Sequence, residues 1–183
     1  MKQRRSAMPA SVKGGVELRK ALKQFTPDLA KETQKEIKTA ITPISKSAKG
    51  YVPDRGEVLS GWLPRQMSEG TFPTFNPSLV KSGIGYKTSP SKPNRQGFRA
   101  LAQVFNKTRA GSIYERMGKL SPDSKFVLNQ DGKLRAPLKG KGRLQGRVLY
   151  RAYDENNGKA RQGVLKAIST AATKLNQRAT VRG

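Results

Sequence analysis

The stretch APLKGKGRLQGRVLYR at residues 136–151 carries five cationic side chains, three glycines and no acidic residue. Lysine and arginine on a glycine-loosened backbone can follow the phosphates of a nucleic acid without reading its bases. Such contacts are independent of sequence and weaken steeply with salt. The same charges would also suit an acidic protein neighbour. We therefore predict a DNA- or partner-facing set at Lys139, Lys141, Arg143, Arg147 and Arg151.

A second cationic set lies in the segment KTSPSKPNRQG, residues 87–97, which is rich in proline and polar residues. Connecting loops of this composition run over the protein surface, so we expect the segment to be exposed and mobile. Together with the arginine just beyond it, this basic loop gives a second DNA- or partner-facing set: Lys87, Lys92, Arg95 and Arg99.

The whole chain is strongly cationic. Its 183 residues include 37 lysines and arginines against 12 acidic residues, which gives a formal net charge of +25 at pH 7. An excess of this kind repels itself and is tolerated most easily beside an anionic partner or a neighbouring subunit. A merely solvated basic surface is the less favoured interpretation, because ordinary surfaces mix both signs of charge. Nucleic acid is the leading candidate partner.

Few catalytic chemistries fit this composition. Cysteine and histidine are both absent, which excludes disulfides, zinc chemistry and histidine-based triads. A metal-dependent nuclease needs clustered carboxylates beside a lysine. Asp123 with Lys125, and Asp54 with Glu57, imitate that arrangement only thinly, in what read as surface turns. The chain has no Walker motif and no complete dinucleotide fingerprint, so we predict a non-enzymatic protein with no metal or cofactor.

The sequence also gives no sign of a membrane or secreted protein. No window approaches the roughly 18 consecutive apolar residues of a spanning helix. The opening MKQRRSAMPASVKGG lacks the apolar centre of a secretory signal. We expect a protein assembled in a cytoplasm, with residues 1–14 as a flexible basic arm and residues 179–183 as a fraying tail.

Two helices are predicted near the start of the chain. Leu18, Leu22 and Phe25 recur at helical spacing and indicate the first. The triplet at residues 26–28, Thr-Pro-Asp, then supplies a cap, a proline suited to the first helical position and a carboxylate favoured by the helix dipole. A second, longer helix should therefore begin there.

The apolar period of this second helix runs from residue 30 to residue 48 at spacings of three and four, and Pro43 lies inside it. An internal proline removes one hydrogen bond and clashes with the preceding turn. We predict a helix that kinks between Thr39 and Pro43 and ends at Gly50, because the period continues in phase beyond the proline. The alternative is a helix that ends at Thr42.

Residues 51–79 hold four prolines and four aromatic residues. This composition disfavours regular elements, but buried rings can still pin such a segment. We predict an ordered excursion anchored by Trp62, Phe72 and Phe75. Base stacking is the less favoured role for these rings, since no basic residue flanks Phe72 or Phe75.

Strand-like patterns follow in the middle of the chain. Residues 80–86 alternate apolar and small residues, and residues 98–106, FRALAQVFN, carry partly apolar faces on both sides. The segments SIYERM, residues 112–117, and KFVLN, residues 125–129, are weaker strand candidates. A turn is expected at residues 129–132.

A second amphipathic helix closes the chain, with its apolar face at Val164, Ile168, Ala171 and Leu175. The predicted fold class is therefore α+β. A kinked N-terminal helix and a C-terminal helix pack on a small, mostly antiparallel sheet, and long basic and proline-rich loops connect the elements. We expect one domain at residues 15–178.

The order of these features resembles a known family. The segments VELRKALKQFTPDLAKETQKEIKTAITPISKSAKGYVP, LSGW, FRALAQVFNKTRAGSIYERMGK and AISTAATKLNQRA, spread over Val16 to Arg178, are similar to the neck or tail-completion proteins of long-tailed phages. Phage lambda minor tail protein Z belongs to this broad group, and the versions from phages of actinobacteria are most alike. Glu115 and Gly118 match an acidic residue and a glycine common in the family. The excursion at residues 51–79 is longer than the family's usual passage.

The resemblance implies a structural protein of the virion that forms a ring, usually of six copies, at the head-to-tail junction. Its implied partners are the head-closure protein, the tail terminator and viral double-stranded DNA in the lumen, with the tail tube or the tape-measure end as further candidates. Six copies at +25 each would place about 150 positive charges around the channel. The alternative from another class is a cytoplasmic, sequence-independent nucleic-acid-binding protein of the ribosomal or nucleoid type.

Overall fold

The computed structural model describes residues 14–54, 62, 66–67, 70–128, 138–140 and 144–181. Within them the chain is a mixed α+β protein, as predicted. The predicted basic arm, apart from Gly14, and the predicted turn at residues 129–132 lie outside the described residues.

The elements in chain order are α1 (Gly15–Phe25), α2 (Pro27–Gly50), β1 (Gln66–Met67), β2 (Gly70–Thr71), α3 (Pro77–Gly83), β3 (Ile84–Lys87), β4 (Gln103–Asn106), α4 (Arg109–Arg116), α5 (Lys125–Leu128) and α6 (Leu149–Val181). They gather into two compact units. The first contains residues up to Pro43, Tyr86–Val104 and the chain from Asn156 onward, and the second contains Ile44–Gly85 and Phe105–Glu155.

The core of the first unit lies between its helices. Leu22 of α1, Leu29 of α2 and Ala171 of α6 form a buried cluster, and Leu18 and Leu175 pack against it. The predicted apolar faces of these helices are therefore confirmed at these positions. The prediction is wrong for Phe25, which is 65% exposed at the last position of α1.

Helix α2 continues through Pro43 for its full 24 residues. The interpretation in which it ends at Thr42 is therefore wrong, and the predicted C-terminal boundary at Gly50 is confirmed. In the turns before the proline, Thr39 and Thr42 donate their hydroxyl hydrogens to the carbonyls of Lys35 and Lys38. The kink itself stays a prediction.

The predicted strand at residues 80–86 is half wrong, because residues 77–83 form α3 and β3 begins only at Ile84. The side chain of Asn76 caps the helix by accepting a hydrogen bond from the N–H of Leu79 at 3.1 Å. Pro77 occupies the first helical position, where its missing N–H costs nothing. This start signal outweighs the alternating pattern that follows it.

Two weaker strand predictions are also wrong. The segment SIYERM lies mostly in α4, which Thr108 caps by accepting a hydrogen bond from the N–H of Gly111 at 3.1 Å. The segment KFVLN begins with the helical turn α5, where Ser124 accepts from the N–H of Val127 at 3.3 Å. Side-chain oxygens just before each segment thus favour a helical start.

The strands form two small sheets. In the first, β1 and β2 pair antiparallel, with Gln66 opposite Thr71. In the second, β3 pairs with β4, and the hydrogen bonds that flank the pair join residue 83 to residue 107 and residue 91 to residue 100, as in an antiparallel hairpin. The predicted strand at residues 98–106 is shorter than expected, since only Gln103–Asn106 is a strand.

The predicted aromatic anchors of the excursion are confirmed in the second unit. Trp62, Phe72 and Phe75 are all buried. The Trp62 ring centroid lies 5.5 Å from that of Phe72 and 5.1 Å from that of Phe75, and the indole N–H donates to the carbonyl of Pro73 at 2.7 Å. These three rings pack on one another, and the segment also contains the short strands β1 and β2.

Helix α6 spans 33 residues, and its predicted apolar positions Val164, Ile168 and Ala171 are buried. It extends to Val181, so the described part of the predicted tail, residues 179–181, is helical. Among the described residues, no helix has the length and apolar content needed to span a bilayer.

Candidate functional site

The basic loop at residues 87–97 forms the tip of the β3–β4 hairpin. Asn94 organises its turn, because its side-chain oxygen accepts hydrogen bonds from the N–H groups of Gln96 at 2.9 Å and Phe98 at 2.8 Å. Gly97 has a φ of 75°, which favours glycine, and its N–H donates to the carbonyl of Asn94. The tip is thus a closed turn.

Below the tip, Ser91 continues the hairpin without a strand. Its N–H donates to the carbonyl of Ala100 at 2.8 Å, and its hydroxyl oxygen accepts from the N–H of Ala100 at 2.8 Å. The Nε of Arg99 donates to the carbonyl of Ser91 at 2.8 Å. The prediction of an exposed loop is confirmed for residues 92–97, but this bonding does not support the prediction that it is mobile.

The base of the hairpin is anchored on the helices of the first unit. Arg19 of α1 is only 8% exposed, and its guanidinium donates to the carbonyl of Leu101 at 2.9 Å. Burial lowers the pKa of Arg19 from its ordinary value. On α2, the amide of Gln34 donates to the hydroxyl of Thr88 at 2.9 Å. The cationic tip is therefore presented by a fixed support.

The hairpin keeps most of its predicted charges at the surface. Lys87, Lys92 and Arg95 are exposed, whereas Arg99 is half-buried and bonded to the backbone. Residues 70–114, which include the whole hairpin, contain no aspartate or glutamate. No acidic side chain of the hairpin itself therefore offsets these charges.

Of the other predicted set, Lys139 lies on a turn between α5 and α6, Arg147 precedes α6, and Arg151 lies in the first turn of α6. Lys139 and Gly146 exchange backbone hydrogen bonds, each 2.9 Å long, which close the turn. Gly140 has a φ of 90°, and a side chain there would overlap the carbonyl of Leu144. Lys139 is exposed. Lys141 and Arg143 lie outside the described residues.

Glu115 fixes the point where this turn enters α6. Its carboxylate accepts hydrogen bonds from the N–H groups of Val148 at 2.9 Å, Leu149 at 2.8 Å and Tyr150 at 2.9 Å. These donors open α6, where amides lack partners within the helix and negative charge is favoured. A side chain at Gly146 would overlap this carboxylate, so glycine is required there.

The Glu115 carboxyl is 6% exposed, and burial raises its pKa above the ordinary value. The three backbone amides and the nearby charge of Arg147 oppose that shift. A carboxylate with this many donors is a structural cap in the second unit. The sequence signalled Glu115 only through the family resemblance.

Arg147 corrects the first set, because it does not face a partner. It is 6% exposed, and its Nε donates to the carbonyl of Met117 at 3.0 Å. Its guanidinium also lies beside Gly118, which has a φ of 80°. A buried cation with this bonding holds the chain after α4 against the entry to α6.

Arg151 is engaged within the second unit as well. Its guanidinium lies over the ring of Tyr51, 4.1 Å from the ring centroid, and its Nε bonds Glu155 at 3.1 Å. The Tyr51 hydroxyl donates to the same carboxylate, which lowers the pKa of Glu155 and raises that of Tyr51. The charge of Arg151 is therefore largely offset inside the chain.

The two carboxylate pairs that were weighed against a nuclease are described only in part. Asp123 is exposed, and Asp54 forms an exposed ion pair with Lys81 at 2.7 Å. Glu57 lies outside the described residues. Within the described ranges, no group of three or more acidic residues could hold a metal ion.

Sequence reasoning missed three residues that support these sites: Arg19, Asn94 and, as a cap, Glu115. The signal for Asn94 was present, since an asparagine ahead of a glycine in a polar loop commonly closes a turn. Arg19 and Glu115 carried no such signal, because their partners are 82 and at least 33 residues away.

Comparisons with protein-family models, curated proteins and solved structures give no match to this chain.

Proposed function

We propose that this protein is a structural head-to-tail joining protein of a long-tailed phage, which forms a ring between the head-closure protein and the tail terminator. Basic side chains of the ring would face the DNA channel or acidic neighbours. The observation that carries the proposal is the fixed cationic hairpin in a chain of net charge +25. A ring around a DNA channel offers the anionic surroundings that such a charge requires.

The residues behind the family resemblance support the proposal because the fold depends on them. Pro43 lies inside an uninterrupted α2. Glu115 receives the first amides of α6, and Gly118 adopts the left-handed conformation beside Arg147. The motif AGSIYERMGK thus supplies structural contacts in this chain, which fits the framework role that the resemblance implies.

Removal of the gene from the phage that encodes it tests the proposal. We expect filled heads and separate, fully formed tails, and electron microscopy of the lysate would count both. Supplying the wild-type chain in trans should restore joined particles. Normally joined and infectious virions without the protein would overturn the proposal.

A sequence-independent nucleic-acid-binding protein of the cytoplasm is the second candidate, favoured by the same exposed and acid-free hairpin. The two candidates differ in how the isolated monomer behaves. Tight, strongly salt-dependent binding of the monomer to free DNA or RNA favours this candidate, whereas weak binding together with ring formation favours the joining protein. A salt titration and native mass spectrometry of the purified chain separate them.

A further inference from the structure

We propose that the hairpin tip at residues 92–97 is the element that grips the phosphate backbone of duplex DNA, through Lys92 and Arg95. This inference rests on the proposed function for its ligand, since DNA occupies the channel of a head-to-tail joint. It assigns the contact to the hairpin and removes Arg147 and Arg151 from the other basic set.

The positive charges of the hairpin tip are available to a ligand. The side chains of Lys92 and Arg95 are exposed and form no hydrogen bond or ion pair with any other residue that the structure describes. In the other set, Arg147 is buried on the carbonyl of Met117, and Arg151 is paired with Glu155. Phosphates compete poorly for a cation that already has a carboxylate or a buried carbonyl partner.

The hairpin tip is also preorganised, because several hydrogen bonds hold its backbone in place. Asn94 closes the turn with two hydrogen bonds to its side chain, Ser91 joins the two arms, and Arg19 and Gln34 hold the base. A cation on such a support loses less freedom on binding than one on a loose loop. A two-stranded hairpin is also narrow enough to approach a groove of B-form DNA between its phosphates.

The residue types of the hairpin tip favour DNA over an acidic protein as the ligand. The exposed tip reads Lys-Pro-Asn-Arg-Gln-Gly and contains no aromatic or long aliphatic side chain. The centre of a protein interface is normally apolar, with aromatic anchors. Phosphate contacts need only cations and polar groups, and arginine binds phosphate in a forked geometry. The composition of the tip therefore fits a phosphodiester backbone.

The test compares two double variants of the full chain, each of which lowers the net charge by two. Lys92→Ala/Arg95→Ala removes the charges of the tip. Lys159→Ala/Arg161→Ala removes two exposed charges of α6 in the same unit. Fluorescence anisotropy with a labelled 30-base-pair DNA would be measured from 50 to 300 mM salt, and circular dichroism would check that both variants fold.

We expect the tip variant to lower the slope of log affinity against log salt by about 1.8, and affinity at 0.1 M salt by up to about 60-fold, because each phosphate contact contributes about 0.9 to that slope. The α6 variant should keep the wild-type slope. Equal losses in the two variants would show that binding is spread over the whole surface and would overturn the proposal.

A third variant, Asn94→Ala, keeps every charge but removes the cap of the turn. It should weaken binding about 3- to 10-fold without changing the salt slope, because only preorganisation is lost. Unchanged affinity in this variant would contradict the preorganised grip. Polyglutamate that competes as well as unlabelled DNA would assign the tip to an acidic protein and overturn the proposal.

Failure of the proposed function has a separate readout. If virions join normally without the gene while the tip variant still loses DNA binding, the joining function is wrong and the grip of the hairpin remains. If deletion separates heads from tails but the two double variants bind DNA alike, the joining function stands and the hairpin assignment is wrong.

Discussion

The hairpin of the first unit and the turn of the second unit carry similar basic sequences but place their charges differently. In the hairpin, Lys92 and Arg95 extend from a support made by buried groups of other elements. In the turn, Arg147 is itself part of the buried support, beside Glu115. The number of lysines and arginines in a segment therefore does not show how many of them are available for binding.

The hairpin cations are exposed and Arg147 is buried because the two regions contact the rest of the fold in different ways. The hairpin rests on carbonyl and hydroxyl groups at its base, which leaves its tip exposed. The turn leads directly into α6, whose first amides need an acceptor. The carboxylate that satisfies them is buried, and a buried carboxylate favours a cation near it. Arg147 is therefore buried near this carboxylate.

The largest expected effect is the loss of the α6 cap. Glu115→Ala leaves three backbone amides, two of them buried, without an acceptor and removes the negative charge near Arg147, so we expect the free energy of unfolding to fall by about 3 to 5 kcal/mol. Urea denaturation would measure it. Glu115→Gln, which keeps one acceptor oxygen, should lose less.

The matched control for that prediction is Glu17→Ala, which removes an exposed glutamate from the first turn of α1. Only a helix-dipole interaction is lost there, about 0.3 to 1 kcal/mol. Similar losses at Glu115 and Glu17 would mean that the three short hydrogen bonds do not stabilise the second unit.

The comparison is sharpest for two arginines, one in each region. Arg147→Ala removes a buried guanidinium and leaves the carbonyl of Met117 unsatisfied, which should cost about 2 to 3 kcal/mol of stability. Arg95→Ala removes an exposed side chain and should change stability by less than about 0.5 kcal/mol. Thermal unfolding of both variants checks the stability order.

The DNA affinities of these two variants should show the opposite order. Arg95→Ala should weaken binding, whereas folded Arg147→Ala protein, measured well below its melting temperature, should bind as the wild type does. Weaker DNA binding by Arg147→Ala with unchanged stability would mean that Arg147 contacts DNA, as the sequence predicted. The two regions would then not differ in how they use their cations.

The sequence predicted the elements that depend on a long hydrophobic period and missed those that depend on a local cap. The period from residue 30 to residue 48 predicted α2 through Pro43, and the four apolar positions of α6 predicted its buried face. Residues 77–83 and 109–116 became helices because Asn76 and Thr108 cap them. A short alternating pattern therefore predicts a strand less reliably than a capping side chain at the preceding residue predicts a helix.

The sequence showed which segments are rich in lysine and arginine, but not which of these side chains are exposed. Counting cations found both basic segments, and the proline and polar residues of the segment 87–97 indicated an exposed loop. The burial of Arg147 could not be read from its neighbours in sequence, since the carbonyl it binds is 30 residues away. Only the tertiary contact decides whether a cation is presented to a partner or used inside the fold.

The smallest expected effect contrasts an exposed carboxylate of the first unit with buried Glu115. Asp28, at the start of α2, pairs with Arg178 near the end of α6 at 2.8 Å. The hydrogen bond from Arg178 is the main cause that lowers the pKa of Asp28 to about 2. A carboxyl whose folded pKa lies below its unfolded value of 3.8 stabilises the native state above pH 4, and the contribution is lost as the pH falls from there to about 2.

Asp28→Asn should therefore lower the urea midpoint slightly at pH 6 and leave it unchanged well below pH 2, where the wild-type carboxyl is also protonated. The effect stays small because both partners are exposed and solvent screens the pair. In an Arg178→Ala background the pH dependence should shrink, since the main cause of the lowered pKa is gone. An undiminished effect of Asp28→Asn in that background would assign the shift to the backbone amides of α2 and not to the pair.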